Sequence, residues 1–195
     1  MYRAKIADRD RLELRKKLDD IAGTSIEDVA HHRQHVEALN AVIPHGIKYI
    51  EDGGGHTCDC MQYMLEIPAD LVSLAGVFHE IIDEFFGVAL PRLLDQAAGS
   101  ENSKPLVIVY FNDGKAKHIG HVKGDRIISK WGKNPVYEHG ITEVPASYGD
   151  EYELFKRPSV QYITNKFIQF VRRHCRYNDF SEIFEDAVIE NGYPR

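Results

Sequence analysis

Leu12, Leu14, Leu18 and Ile21 punctuate a densely charged stretch, and their helical spacing predicts an amphipathic helix from residue 8 to about 22, ending near Gly23. Ser25 is a natural N-cap, with Asp28 in the box position, for a second helix running to about Asn40. His31, His32 and His35 lie on that helix. The i, i+4 pair His31 and His35 has metal-ligand spacing, but no partner carboxylate is evident, and the histidines read as exposed surface residues. Pro44 closes the section, and Gly46-Ile47-Lys48-Tyr49-Ile50 predicts a short extended segment leading to the run Gly53-Gly54-Gly55.

The helical period resumes at Asp59. Cys60, Tyr63, Met64 and Ile67 follow it, and Pro68 opens a new helical segment. Between 69 and 98, Leu71, Leu74, Val77, Phe78, Ile81, Ile82, Phe85 and Phe86 form an apolar face broad enough for core or interface. The segment Gly99-Ser100-Glu101-Asn102-Ser103-Lys104-Pro105 predicts a loop, after which the period changes. Leu106-Val107-Ile108-Val109-Tyr110-Phe111 is a β-branched and aromatic run expected as a buried strand, turned by Asn112-Asp113-Gly114. Strands His118 to Val122 and Arg126 to Trp131 flank Gly124-Asp125, a tight-hairpin signal, and further extended segments are expected over 136–144 and 152–156. Helical spacing returns from Val160, with a short second helix near Phe180 to Ile189. Helices, then antiparallel strands, then helices is the order of an α+β fold.

At 195 residues, 43% hydrophobic and 28% charged, the chain has a globular composition and the length to bury about 70% of its unfolded surface without staples. Three cysteines, an odd number, argue against a disulfide framework and for reduced thiols, with Cys175 a packed bystander. The N-terminus is charged from the start and has no apolar signal-peptide region, so the cytoplasm is the expected location. No apolar run approaches the roughly 20 residues that cross a bilayer. The formal net charge of -6 leaves no basic footprint, so neither nucleic acid nor membrane is an expected partner. The cluster Arg172-Arg173-His174 with Arg176 reads as a solvated helix face.

A nucleophilic cysteine needs its thiolate, and the orphan N–H groups at a helix start favour negative charge. Cys60 stands in the first turn of its predicted helix, behind a Gly-rich entry, and its base should be a histidine on a rigid strand; His118 meets that requirement. A two-residue Gly124-Asp125 loop sets Val122 opposite Ile127, Gly120 opposite Ser129 and His118 opposite Trp131. His118, Gly120, Ser129 and Trp131 then share a face, with His121 and Lys130 pointing the other way. Gly120 leaves room beside the imidazole, and the Ser129 hydroxyl lies diagonally where it could orient the ring. Trp131 and Tyr137 are expected in the core. His79-Glu80-Ile81-Ile82-Asp83 carries an aspartate where a zinc-protease helix has its second histidine, and it reads as a helix with a wet side. His56, Cys58 and Cys60 could supply soft metal ligands, but their spacing is not a zinc-finger arrangement. No metal and no cofactor are expected.

Asp59-Cys60 followed by Tyr63, then Lys117-His118-Ile119-Gly120 and a Gly-Asp turn into the next strand, resembles the NlpC-type cell-wall peptidases of the papain-like superfamily. The resemblance implies Cys60 as nucleophile, His118 as base and Ser129 as orienter. The sequence departs from that pattern at Met61 and Gln62, where a small residue or serine usually follows the cysteine, and at Ser129, where histidine is common. Ser129-Lys130-Trp131-Gly132, Tyr137-Glu138-His139, Ser147-Tyr148-Gly149-Asp150 and Phe155-Lys156-Arg157-Pro158 are similar to a poorly characterised bacterial domain family of the same fold, which adds His139 and Lys130 as secondary candidates.

The implied organisation is an N-terminal helical extension over 1–45, a papain-like (NlpC-type) domain over 46–158 with its Cys-bearing helix packed on an antiparallel sheet, and a C-terminal helical extension over 159–195. The implied activity is a cysteine hydrolase, amidase or peptidase-like, forming an acyl-enzyme on a peptide or amide-containing substrate. Two alternatives stand beside it: an acyltransferase or deamidase acting on a protein with the same dyad, and a catalytically inactive binding module. The helical extensions offer a surface for a homo-oligomer or another partner.

Overall fold

The computed structural model describes residues 3–6, 11–23, 29–51, 60–75, 79–97, 106–132, 135–174, 180–190 and 192–193. The N-terminal half contains β1 (Ala4–Lys5), α1 (Arg11–Gly23), α2 (Val29–Leu39), β2 (Lys48–Glu51), α3 (Cys60–Leu65), α4 (Ala69–Ala75), α5 (His79–Glu84), a π-helical turn Phe85–Ala89 and α6 (Leu90–Ala97). β3 (Leu106–Asn112), β4 (Lys115–Lys123), β5 (Arg126–Lys130), β6 (Val136–His139), a 3₁₀ turn Ala146–Tyr148, β7 (Glu151–Lys156), α7 (Val160–His174) and α8 (Phe180–Glu190) follow. The helix begun at Cys60 stops before Ile67 because Glu66 takes a φ of 55° and Pro68 has no N–H to continue the ladder.

Among the described residues seven strands form one antiparallel sheet in the order β1-β7-β3-β4-β5-β6-β2. Its centre, β3 through β6, is a meander of sequence neighbours. The β4–β5 hairpin has the predicted register, with Val122 paired to Ile127 and the ladder running from Lys123 and Arg126 to His121 and Ile128. Between β3 and β4 the register shifts: Tyr110 pairs with His118 but Phe111 with Ala116, so Lys117 is an inserted bulge residue. Because pleated side chains alternate, that insertion turns Ala116 and His118 to opposite faces of the sheet.

One face carries Val107, Val109, Phe111, Ala116, Ile119 and Phe155. It is covered by Cys60, Met61, Met64 and Leu65 of α3, with Leu71, Phe85, Leu90, Leu94, Phe167 and Val188 from the helices that follow. The other face carries Ile108, Tyr110 and Ile127 against Val144, and Trp131 and Tyr137 against Leu14 and Leu18 of α1 and Val36 of α2. Trp131 and Tyr137 are fully buried, as expected of core residues. Helices from both chain ends thus build the two covers, and β1 extends the sheet beside β7. No helix of the described residues is long and apolar enough to cross a membrane.

Three expectations change. β6 ends at His139 rather than reaching Val144, because the chain turns at Gly140, whose carbonyl accepts the Glu143 N–H at 3.0 Å. The buried Glu143 carboxylate then accepts N–H bonds from Gly46 and Gly140, each at 2.8 Å, and pairs with Arg11 and Arg126 at 3.4 and 3.5 Å. β1 carries too short an apolar signal to be predicted. His32 is not a surface histidine: its ring is fully buried and Nδ1 lies 2.6 Å from the Tyr137 hydroxyl, whereas His31 and His35 are exposed. Tyr137→Phe strands a buried imidazole nitrogen and is expected to cost about 1–3 kcal/mol in urea unfolding; a loss within error of zero refutes the pairing. Ser25, Asp28, Gly53 to Gly55, His56, Cys58, Val77, Phe78 and Cys175 lie outside the described residues.

Candidate functional site

Cys60 opens α3 at the wall of a cavity of ≈ 550 Å³, a volume within the range of small-molecule and short-peptide sites. Two irregular backbone features shape it. The π-helical turn supplies Phe86, Gly87 and Val88, and the bulged start of β4 supplies Lys115, Ala116 and Lys117. Both kinds of irregularity re-aim side chains and recur at functional sites. Met61 and Ile82 add apolar wall, Gly132 closes the β5 side, and Tyr148 enters from the 3₁₀ turn. Asp83 and Glu84 of α5 stand with the two lysines around the space, so its lining carries both signs of charge.

Cys60 is 7% exposed. α3 has only six residues, so negative charge at the sulfur would be met by the first N–H groups rather than by a long helix dipole.

His118 does not line this cavity. Its ring is fully buried on the face that bears Tyr110, and among the described residues neither imidazole nitrogen has a hydrogen-bond partner. Tyr148 stacks on it, with ring centroids 3.9 Å apart and planes 12° from parallel, and Tyr110 lies at 5.8 Å. Burial, and secondarily the proximity of His139, holds the His118 pKa well below the usual 6.5, so the ring is neutral. No hydrogen bond joins Cys60 and His118. Tyr148 is the link between them, touching His118 and sharing the cavity wall with Cys60. Burial, then the nearby Cys60 and Asp19, holds the Tyr148 phenol well above 10, so its hydroxyl keeps its proton.

Ser129 is committed to a different histidine from the one expected. Its hydroxyl lies 2.7 Å from His139 Nε2, and His139 Nδ1 lies 2.8 Å from the Gly140 carbonyl oxygen. A carbonyl only accepts, so Nδ1 carries the proton and the serine donates to the bare Nε2. Both side chains are fully buried and neither lines the cavity. Burial pulls His139 down to about 4, against the opposing pull of the Gly140 carbonyl and Glu143. Ser129 therefore orients His139, not His118, and Gly120 packs too tightly to leave free space there: an added Cβ would lie 2.6 Å from Ile127 Cγ2 and 3.1 Å from Ser129 Cβ. Lys130 is fully buried and, next to Ser129 in the pleat, points to the opposite face.

Tyr148 is held from behind. Arg15 of α1, 2% exposed, donates to the carbonyls of Val144 and Gly149 at 3.3 and 2.5 Å and to Asp150 at 2.7 Å. One turn along, Asp19 accepts the Ser147 N–H at 3.2 Å. Tyr148, within Ser147-Tyr148-Gly149-Asp150, carries no catalytic signal in the sequence; its flanks, Pro145 and Gly149, are the available sign of a constrained turn. Arg15 sits between Leu14 and Leu18 in a run of charges, and nothing in that run singles it out. Among the described residues no group of three or more His, Cys, Asp or Glu side chains could hold a metal ion. No family model, no curated protein and no solved structure matches this chain.

Proposed function

We propose that the cavity at Cys60 is the seat of cysteine-dependent amide chemistry, an amidase or peptidase-like activity on a papain-like, NlpC-type core. One observation carries the reading: Cys60 walls a cavity of peptide size, and the Tyr148 ring on that wall rests on a neutral, unbonded imidazole. A buried imidazole with both nitrogens unengaged is costly, and a catalytic role is one of the reasons for which folded proteins retain such a group. In the reaction, Cys60 Sγ attacks the amide carbonyl carbon as its thiol proton passes to His118. Collapse of the tetrahedral adduct breaks the C–N bond, the amine leaves with that proton, and a thioester remains. Water then cleaves the thioester to a carboxylic acid and the free thiol. An acceptor hydroxyl or amine in place of water makes the same site a transferase, and a side-chain carboxamide as substrate makes it a deamidase. His118 rests on the sheet face opposite the Cys60 core and beneath Tyr148, so this step requires the substrate complex to rearrange the Tyr148 loop until Cys60 and His118 come within hydrogen-bond reach.

The missing Cys60–His118 hydrogen bond favours one second reading, a catalytically inactive module that binds an amide-containing ligand in the cavity. Iodoacetamide modification at pH 7, read thiol by thiol with peptide mass spectrometry, separates the two. Cys60 should react faster than Cys175, and Cys60→Ala should lower hydrolysis of an amide substrate at least about 1,000-fold while Cys58→Ala retains it. Hydrolysis that survives Cys60→Ala sinks the hydrolase reading, and a Cys60 no more reactive than Cys175 leaves the binding module.

A further inference from the structure

The geometry points to Arg15 as a positioning residue for this site, one that acts from α1 by fixing the loop that seats Tyr148 on His118 and against the cavity. The inference rests on the Cys60 cavity being the functional site.

Arg15 is buried, and taking a guanidinium out of water is heavily penalised unless its donors are met. Here they are met by acceptors that bracket Tyr148 in sequence: Val144 before it, Gly149 and Asp150 after it. Asp150 is an exposed side chain, so the two carbonyls are the buried part of this grip. Asp19, four residues further and on the same side of α1, holds Ser147. The loop backbone is thus tied to α1 on both sides of Tyr148, and the one side chain between the ties spans from the Cys60 cavity to His118. A planar fork that reaches several acceptors at fixed angles suits this role, which a single ammonium cannot duplicate.

The test reads His118 directly. The titratable groups that face its imidazole are Tyr110, Tyr148 and His139. Its ring protons are followed by NMR from pH 5 to 8 in the full chain, in Arg15→Met, Arg15→Lys, Tyr148→Ala and the double variant Arg15→Met/Tyr148→Ala. Iodoacetamide modification of Cys60 is measured in the same proteins. Loss of the grip should lift Tyr148 off the ring and let water in, raising the proton affinity of His118 at least about tenfold in Arg15→Met and speeding Cys60 modification several-fold. Arg15→Lys should lie between. In the Tyr148→Ala background Arg15→Met should add nothing to the His118 change, because the effect travels through Tyr148.

An Arg15→Met protein that melts earlier but keeps the parent His118 titration and Cys60 rate overturns the inference, as does an equal effect with and without Tyr148. Should Arg15→Met fail to fold, Arg15→Lys and Asp19→Ala decide: unchanged His118 and Cys60 behaviour in both overturns it. A wild-type Cys60 no more reactive than Cys175 removes the hydrolase reading instead, and the His118 titration still judges Arg15.

Discussion

Acidification from neutral pH to about pH 4 is expected to remove on the order of 6 kcal/mol of folding stability through His32 and His139 alone. Burial, aided by His35 for the first, holds each of these imidazoles at about 4 in the folded protein, against 6.5 for a free ring. The folded values lie below the unfolded one, so between them the unfolded chain binds more protons. Stability is therefore complete above the unfolded value and falls as pH drops from about 6.5 towards 4, by about 3 kcal/mol for each ring. His118, also held well below its ordinary value by burial, steepens the same fall. Glu143 acts at lower pH. Burial pushes its carboxyl up, but the N–H bonds from Gly46 and Gly140 and the charges of Arg11 and Arg126 outweigh this and leave it depressed, so its contribution goes only as pH falls below the usual carboxylate range. Urea unfolding at several pH values between 4 and 8 reads the effect. A stability that is flat from pH 7.5 to 4.5 contradicts the burial of these rings, and His139→Asn should flatten the slope by at most about a third, since His32 and His118 still contribute.

Gly149→Ala is expected to cost at least about 3 kcal/mol and to displace the Tyr148 loop. The residue has a φ of 105°, where an L side chain is strained, and a Cβ there would lie 1.8 Å from the Phe111 carbonyl oxygen and 2.2 Å from its carbon. These neighbours are backbone atoms of a central strand and cannot swing aside as a flexible side chain would. Either β3 deforms or the loop lifts. In the second case Arg15 loses the Gly149 carbonyl and Tyr148 leaves His118, so thermal melting and His118 titration should change together. Gly149→Ala with a parent melting temperature would mean that the loop does not run against β3 as described.

The fold was legible where one physical signal dominated. The β-branched run Leu106 to Phe111 and the Gly124-Asp125 turn gave β3 and the β4–β5 register because strand burial and hairpin geometry are local. α1, α2, α7 and α8 were visible as helical stripes. What escaped was decided by partners far along the chain. His32 shares a stripe with Val36 and Leu39, one turn and two turns on, a hint that it faces inward, yet its burial depends on Tyr137, which only the folded sheet brings to it. Ser129 was expected beside His118 on pleat geometry. The end of β6 at His139 supplied a nearer acceptor, and the hydroxyl went there. His118 faces away from the core that holds Cys60 because it alternates in step with Gly120 and Val122, opposite Tyr110, while the inserted Lys117, which could not be foreseen from composition, turns Ala116 back to the Cys60 side.

The strand order also has a kinetic side. Strands β3 to β6 pair with their immediate neighbours in sequence, so the centre of the sheet closes only short loops. Arg15 and Gly149, by contrast, are separated by 134 positions, and His32 and Tyr137 by 105. Closing such long loops costs chain entropy before any contact repays it. The meander should therefore assemble first and α1 and α2 dock late. During synthesis, in which the N-terminal segments emerge first, the face of α1 that carries Leu14, Arg15 and Leu18 waits in water until the strands it covers have been made. That interval is when this chain is most exposed to misassociation, and the last event of its folding is also the one that sets Tyr148 in place.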